Sequence, residues 1–507
     1  MLFKVLPART NPSSVSHNTA YLITDNWDDW FEFITQYYLF YVDDEGERHE
    51  IGNVKIGRFN MEKEQKRVII PPEFENLNDL FFSLGQDDTY YEHLKNLEEE
   101  ISSNILASLK DIALDTELFE RALNERVTKI SLLREVPIAT VKGQFRRLAN
   151  RLAKLTKYQF NYIAPKIRNS TEPPVKLNFH VIPNSNPPTN INVLIGRNGV
   201  GKTHLLNNML ESLLSTEKLT KYGTFDSDDE IIFANIVFVT FSAFDESEPK
   251  KEVKDKTKNI DYSYIGLKRI RKENEPNLPP KSPVMLKNEF VKSFENCRQS
   301  VKKTRWKRAI QILQSDPMFI ESGILDTIDI PDVERFKEEA SEIFKKLSSG
   351  HKIILLTITR LVETVKERTL ILLDEPEAHL HPPLLSAFIR ALSDLLIQRN
   401  GVAIIATHSP VILQEVPKSC VWTLRRTGIN TIVDQLNNES FGENVGVLTQ
   451  EVFGLEVSQS GFHSLLEKSV KKNDDYSAIL EDFGNQLGME SRAIARVLIS
   501  LKNKDER

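Results

Sequence analysis

The sequence predicts an α/β fold, a largely parallel sheet with helices packed on it, because three apolar runs far apart in the chain each end in a polar cluster. Ile191-Asn192-Val193-Leu194-Ile195 runs into Gly196-Arg197-Asn198-Gly199-Val200-Gly201-Lys202-Thr203, which fits G-x-x-x-x-G-K-[ST]. Thr369-Leu370-Ile371-Leu372-Leu373 ends in Asp374-Glu375-Pro376, and Val402-Ala403-Ile404-Ile405-Ala406 ends in Thr407-His408-Ser409. Short, near-continuous apolar runs of this kind mark strands buried on both faces.

Residues 20 to 60 read as strands, with Gln36-Tyr37-Tyr38-Leu39-Phe40-Tyr41-Val42 entering the turn Asp43-Asp44-Glu45-Gly46 and returning through Glu50-Ile51-Gly52-Asn53-Val54 as a hairpin at a sheet edge. Residues 76 to 160 read as mostly helical. Between Lys142 and Lys157, Phe145, Leu148, Leu152 and Leu155 recur at helical spacing while Arg147, Arg151 and Lys154 fall on a second face, which predicts a basic amphipathic helix. The Pro/Asn/Ser cluster from Pro183 to Asn190 is a loop, the Ile191 strand follows, and a helix begins near Lys202. Another buried strand, Asn235 to Phe241, ends at Ser242-Ala243-Phe244-Asp245. Beyond it Pro276, Pro279, Pro280 and Pro283 break a basic stretch, and helices lead to Leu347-Ser348-Ser349-Gly350-His351-Lys352. After His408, Val421 to Leu424 and Ile429 to Val433 form a hairpin around Thr427-Gly428, and the remainder is helical. No internal repeat and no long heptad array is present.

With 507 residues, 40% hydrophobic and 27% charged, the chain has the composition of a soluble globular protein larger than one ordinary domain. No apolar run approaches the roughly 20 residues that cross a bilayer, and Met1-Leu2-Phe3-Lys4-Val5-Leu6-Pro7 lacks the apolar core of a signal peptide, so the expectation is a cytoplasmic protein without membrane contact. Two cysteines, Cys297 and Cys420, make neither a disulfide framework nor a four-thiolate zinc site. Charge is segregated: residues 121–168 carry +10 and residues 250–310 carry +11, so the remainder carries −27 of a net −6. These basic stretches are candidates for direct nucleic-acid contact, or for contact with acidic protein surfaces, on about equal terms.

In the loop from Gly196 to Thr203, small residues let backbone N–H groups converge on phosphate oxygens at the start of a helix. Gly196, Asn198, Gly199 and Gly201 form that cradle, Lys202 bridges the terminal phosphates, and Thr203 ligates Mg2+. Asp374, at a strand end, reaches the same ion; Glu375 orients or deprotonates the attacking water; His408 contacts the terminal phosphate. ATP and Mg2+ are the cofactors so inferred, although the loop itself does not exclude guanine nucleotides.

With these motifs the chain resembles the ABC ATPase superfamily, whose Leu-Ser-Gly-Gly-Gln-like signature caps nucleotide bound to a second subunit. The resemblance implies that Ser348, Ser349 and Gly350 bind nucleotide in trans, in a head-to-tail homodimer or higher homo-oligomer. It also implies a two-lobed ATPase head over residues 1–435, with lobe one from 20–60 and 176–245, helical insertions at 76–168 and 250–340, a signature and acid-strand lobe at 341–433, and a helical C-terminal segment at 436–507. Glu377-Ala378-His379-Leu380-His381-Pro382, Ala406-Thr407-His408-Ser409-Pro410 and Asn198 look like the SMC-like and OLD-like soluble branch, and the layout is similar to the PtuA family of Septu and retron-associated anti-phage systems. Two departures stand out: no Gln follows the Asn235 strand, and His351 replaces the usual Gln after the signature glycine. The Toprim pattern of OLD nucleases is missing, and after His408 only His463 remains, too few histidines for an HNH site. The PtuA resemblance therefore implies a separate HNH-type nuclease partner of PtuB type, and beside it a retron reverse transcriptase with its DNA and RNA. Two other readings stay open: a DNA repair ATPase that clamps duplex DNA on the faces around Arg147, Arg151, Lys154 and Lys302 to Arg308, and an ATP-gated scaffold with little turnover.

Overall fold

The computed structural model describes residues 1–8, 16–25, 32–61, 65–134, 136–151, 157–167, 172–182, 185–214, 221–227, 233–241, 249, 260–270, 278–298, 300–454, 461–473 and 475–505. Strands β1 (Leu2–Leu6), β2 (Thr19–Thr24), β3 (Gln36–Val42), β4 (Arg48–Arg58), β5 (Glu73–Phe74) and β6 (Phe81–Gly85) form a six-stranded sheet in the order β5-β1-β2-β3-β4-β6. The expected β3–β4 hairpin is there, but in the interior of the sheet, and the sheet is separate from the one that carries the phosphate loop. Residues 20–60 are thus not part of the nucleotide-binding sheet. Their inner face is already covered: Phe3, Leu39, Val54, Ile56 and Phe82 pack with Tyr90, Tyr91, Ile105 and Phe119 of the helices Asp88–Asn96, Glu99–Ser108 and Thr116–Ala122 into a core of their own.

The basic amphipathic helix expected from Lys142 to Lys157 stops at Ala149, and Arg151 takes a left-handed φ of +54°. Arg151 instead spends its guanidinium on Lys95 O, Leu97 O and Ser102 Oγ, where the carbonyls ending the helix Asp88–Asn96 attract a cation. Leu152, Lys154 and Leu155 lie outside the described residues.

The remaining strands are β7 (Tyr158–Ile163), β8 (Lys176–Val181), β9 (Ile191–Gly196), β10 (Thr224–Asp226), β11 (Asn235–Thr240), β12 (Asp261–Gly266), β13 (Thr369–Asp374), β14 (Val402–Thr407), β15 (Val421–Thr427) and β16 (Asn430–Gln435). Seven form the central sheet, β12-β11-β13-β14-β9-β15-β16, parallel throughout except for the final β15–β16 hairpin. Every residue of β9, β11, β13 and β14 is buried, as their apolar runs require, because the sheet is covered on both faces. On one face lie the helix Lys202–Leu214 and the antiparallel trio β10-β7-β8, through Leu206, Met209, Phe160 and Phe179. On the other lies a helical block, Pro283–Asn296, Ser300–Leu313, Val333–Lys346, Ser349–Thr364 and Pro382–Ile397, centred on Trp306, Phe294, Phe344 and Leu355. Edge strand β12 escaped the sequence reading, being short, half-buried and set in a basic stretch; Ser242–Asp245, 250–259 and 271–277 around it lie outside the described residues.

Ion pairs fasten the N-terminal lobe to the helical block. Asp88 accepts from Arg399, from Arg305 at 3.1 Å and from Gln144 at 3.1 Å, and Arg305 also meets Glu92 at 3.2 Å. Arg147 holds Glu367 at 2.7 Å, and burial pushes that carboxyl up to about 6 against the pull of Arg147. The C-terminal helices Gly461–Lys472, Tyr476–Asp482 and Met489–Asp505 enclose a small core of Leu466, Val470, Ile479, Ala495 and Ile499. No helix among the described residues is long and apolar enough to cross a membrane.

Candidate active site

Parallel pairing brings the ends of three strands into line. Asp374 pairs with Ala406, Ala406 with Leu194 and Thr407 with Ile195, so the acids, the histidine and the phosphate loop share the carboxyl edge of the sheet. β14, which carries His408, lies between the phosphate-loop strand β9 and the acid strand β13. In an open parallel sheet this edge is where ligands bind.

The loop itself is exposed at Arg197, Asn198 and Gly199, and Gly199 and Gly201 hold φ of +78° and +98°, values that side-chain-bearing residues rarely adopt. Lys202 is buried, its Nζ donating to Gly196 O at 3.0 Å and to Arg197 O at 3.1 Å. Burial lowers its pKa, against the opposing fields of Glu375, Glu377 and Asp374. Thr203 Oγ1 donates to Asp374 at 2.9 and 3.1 Å, so the hydroxyl and carboxylate assigned to one ion are in direct contact. A hydroxyl, a buried carboxylate and two more acids nearby make a hard oxygen set that fits Mg2+. Glu375 has a left-handed φ of +46° and donates its backbone N–H to Ala406 O at 2.9 Å, while its side chain stays 30% exposed. His408 Nδ1 lies 3.8 Å from Glu375 Oε1 and 3.2 Å from Glu377 Oε1.

The signature corner packs on the turn that follows Glu375. Ser348 caps the helix Ser349–Thr364, both serines are exposed, and Gly350 packs so closely that an added Cβ would stand 2.5 Å from His379 O. Among the described residues no hydrogen bond or ion pair links Ser348–Gly350 to the Gly196–Thr203 loop. His351, in the place of the usual Gln, has Nδ1 2.6 Å from Ser348 Oγ and Nε2 3.2 Å from Asp316, which also faces His381 at 3.4 Å.

Sequence reasoning missed three neighbours of the site. Glu377 was read as a family marker, not as a side chain facing His408. Asp316 lies more than thirty residues before its histidine partner, with no local pattern to flag it. Arg426, on β15, reaches Gly199 O at 3.4 Å because β15 pairs with β9, a neighbour relation the hairpin pattern alone does not reveal.

The chain is 41% identical to protein ea59 of Escherichia phage lambda over 524 residues, covering 97% of each. It belongs to the ea59 family. Residues 314–414 match the family described as an AAA domain, putative AbiEii toxin, Type IV TA system. Among solved structures, an ATP-binding cassette of an ABC transporter in its ADP conformation is 14% identical with a TM-score of 0.32, covering 60% of this chain and all of that one. The cbiO1 protein of Clostridium perfringens, part of an ABC transporter complex, is 15% identical with a TM-score of 0.29, covering 62% of this chain and all of that one. The parallel central sheet, with its aligned strand ends and phosphate loop, makes this member of the ea59 family a P-loop α/β protein.

Proposed function

We propose that the chain binds ATP as its Mg2+ complex and hydrolyses it. The observation that carries this is the contact between Thr203 and Asp374, 171 residues apart in sequence, beside Lys202 and the half-buried Glu375. Phosphates entering the loop meet the N–H groups around Gly199 and Gly201 and exchange with the two carbonyls that hold Lys202. Bound Mg2+, held by Thr203 and Asp374, would offset charge on the phosphates. Glu375, less buried than the neighbouring Asp374, accepts the proton of the attacking water, and His408 stands 3.8 Å from it. Glu375→Gln should keep ATP binding while lowering kcat by at least about 100-fold, the usual weight of a general base. Hydrolysis by Glu375→Gln at the unaltered rate removes Glu375 from this role; failure of the unaltered protein to bind ATP removes the whole reading.

The finer reading is a PtuA-like subunit of an anti-phage system that dimerises around ATP, completes each site with the partner's signature corner, and controls a separate HNH-type nuclease. The exposure of Ser348 and Ser349 on a capped helix supports the trans arrangement, and a relative carried by a phage fits a defence carried by a resident phage. Purification from the native operon tests it: recovery of an HNH-type nuclease supports the defence reading, and recovery of the chain alone without phage protection by the operon sinks it. Of the residues named for the duplex-clamping alternative, Arg147, Arg151, Arg305 and Arg308 meet acids or carbonyls of the same chain, and that alternative predicts duplex binding that weakens steeply with salt.

A further inference from the structure

Glu377 lies two residues beyond Glu375, on the short turn Pro376–His379, and its side chain is only 8% exposed. One oxygen, Oε1, accepts from the Thr407 hydroxyl and from the His408 backbone N–H at 2.8 Å, and His408 Nδ1 lies 3.2 Å from it. The other, Oε2, is buried with no hydrogen-bond partner. A buried carboxylate is costly unless charge-assisted bonds compensate it, so these contacts to Oε1 are what make the burial tolerable.

We infer that Glu377 is the positioning residue for His408. Oε1 already accepts two hydrogen bonds, and at 3.2 Å it is placed to accept a third from a proton on Nδ1 of the neutral ring. That fixes the Nδ1–H tautomer and leaves Nε2, on a ring 45% exposed, as an acceptor open to the attacking water. Because the same oxygen also binds the Thr407 hydroxyl and the His408 N–H, backbone and ring are set by one acid. The two acids of the turn thereby divide by burial: Glu377 holds the ring, and Glu375, at 30% exposed and 3.8 Å from the same nitrogen, remains open to water. This assignment rests on the ATPase reading for its catalytic meaning, but not for its geometry.

The test combines a spectroscopic and a kinetic readout. In nucleotide-free protein labelled with 15N-histidine, at a pH where the ring is neutral, the His408 signals (assigned by their loss in His408→Asn) should report Nδ1 protonated. Glu377→Ala should abolish that preference and lower kcat about 10–100-fold, as loss of an orienting partner does, with the KM for ATP unchanged. Glu377→Gln keeps an acceptor oxygen of the same shape; it should retain the tautomer with a smaller fall in kcat, and it decides the matter if the alanine variant does not fold. An Nε2–H tautomer in the unaltered protein, or an unchanged kcat in these variants, overturns the inference. If the unaltered protein does not hydrolyse ATP, the ATPase reading falls, and the tautomer alone then decides whether Glu377 positions His408.

Discussion

Lys202 is held in place before any nucleotide arrives, with two loop carbonyls occupying its ammonium group. Lys202→Ala should therefore lose ATP binding outright in calorimetry, in contrast to Glu375→Gln, which retains it. A second residue-scale consequence concerns Asp111, which accepts from Tyr91 and from the N–H of Ala113 deep in the N-terminal lobe; burial pushes its carboxyl from 3.8 up to about 7. The folded state thus binds a proton more readily than the unfolded chain, so this group's contribution is fully present below its unfolded value and is lost as pH rises through about 7. Melting temperature should fall with pH across that window, and Asp111→Asn should flatten the fall. Burial likewise pushes Cys297 and Cys420 up to about 12, so neither thiol should react with an alkylating reagent until the protein is unfolded. Lys202, Thr203, Asp374, Glu375 and His408 were legible in the sequence because each sits in a short pattern at the end of an apolar run. Glu377 was not, because its meaning depends on a strand thirty residues further on.

At the scale of elements, the strands buried on both faces were legible because their side chains face apolar surroundings on either side, which leaves an unbroken apolar run. What such runs do not carry is the identity of the neighbour: β3 and β4 read correctly as strands, yet nothing local says that they pair within a separate sheet. Helix length also failed where tertiary contacts intervened, since Arg151 leaves helical geometry to cap another helix. The signature corner supplies a test of packing. Gly350→Ala places a methyl 2.5 Å from His379 O, a backbone atom on the turn that follows Asp374, and should cost about 1–3 kcal/mol in urea unfolding. The same substitution should disturb hydrolysis, because the turn it presses on carries Glu377.

At the scale of the molecule, several described residues of the two basic stretches meet acids of the same chain. Arg147 meets Glu367, Arg305 meets Asp88 and Glu92, Lys303 and Lys307 meet Asp329, and Arg308 meets Asp394. Composition could show the segregation of charge, but not that Arg147 and Arg305 meet acids across a lobe junction. Asp88→Asn leaves Arg399, buried in the junction, without its carboxylate, and should destabilise the protein by about 3 kcal/mol, measured by urea unfolding.

The position of β9 in the central sheet also bears on how the protein comes into being. Its two neighbours are β14 and β15, both more than two hundred residues downstream. On the ribosome, the strand that delivers the phosphate loop therefore emerges without either flanking strand and waits through the synthesis of the whole helical block. If the chain binds ATP as proposed, the phosphate loop gains both flanking strands only after residues near Leu424 have been made, so nucleotide should stabilise only late stages of the growing polypeptide.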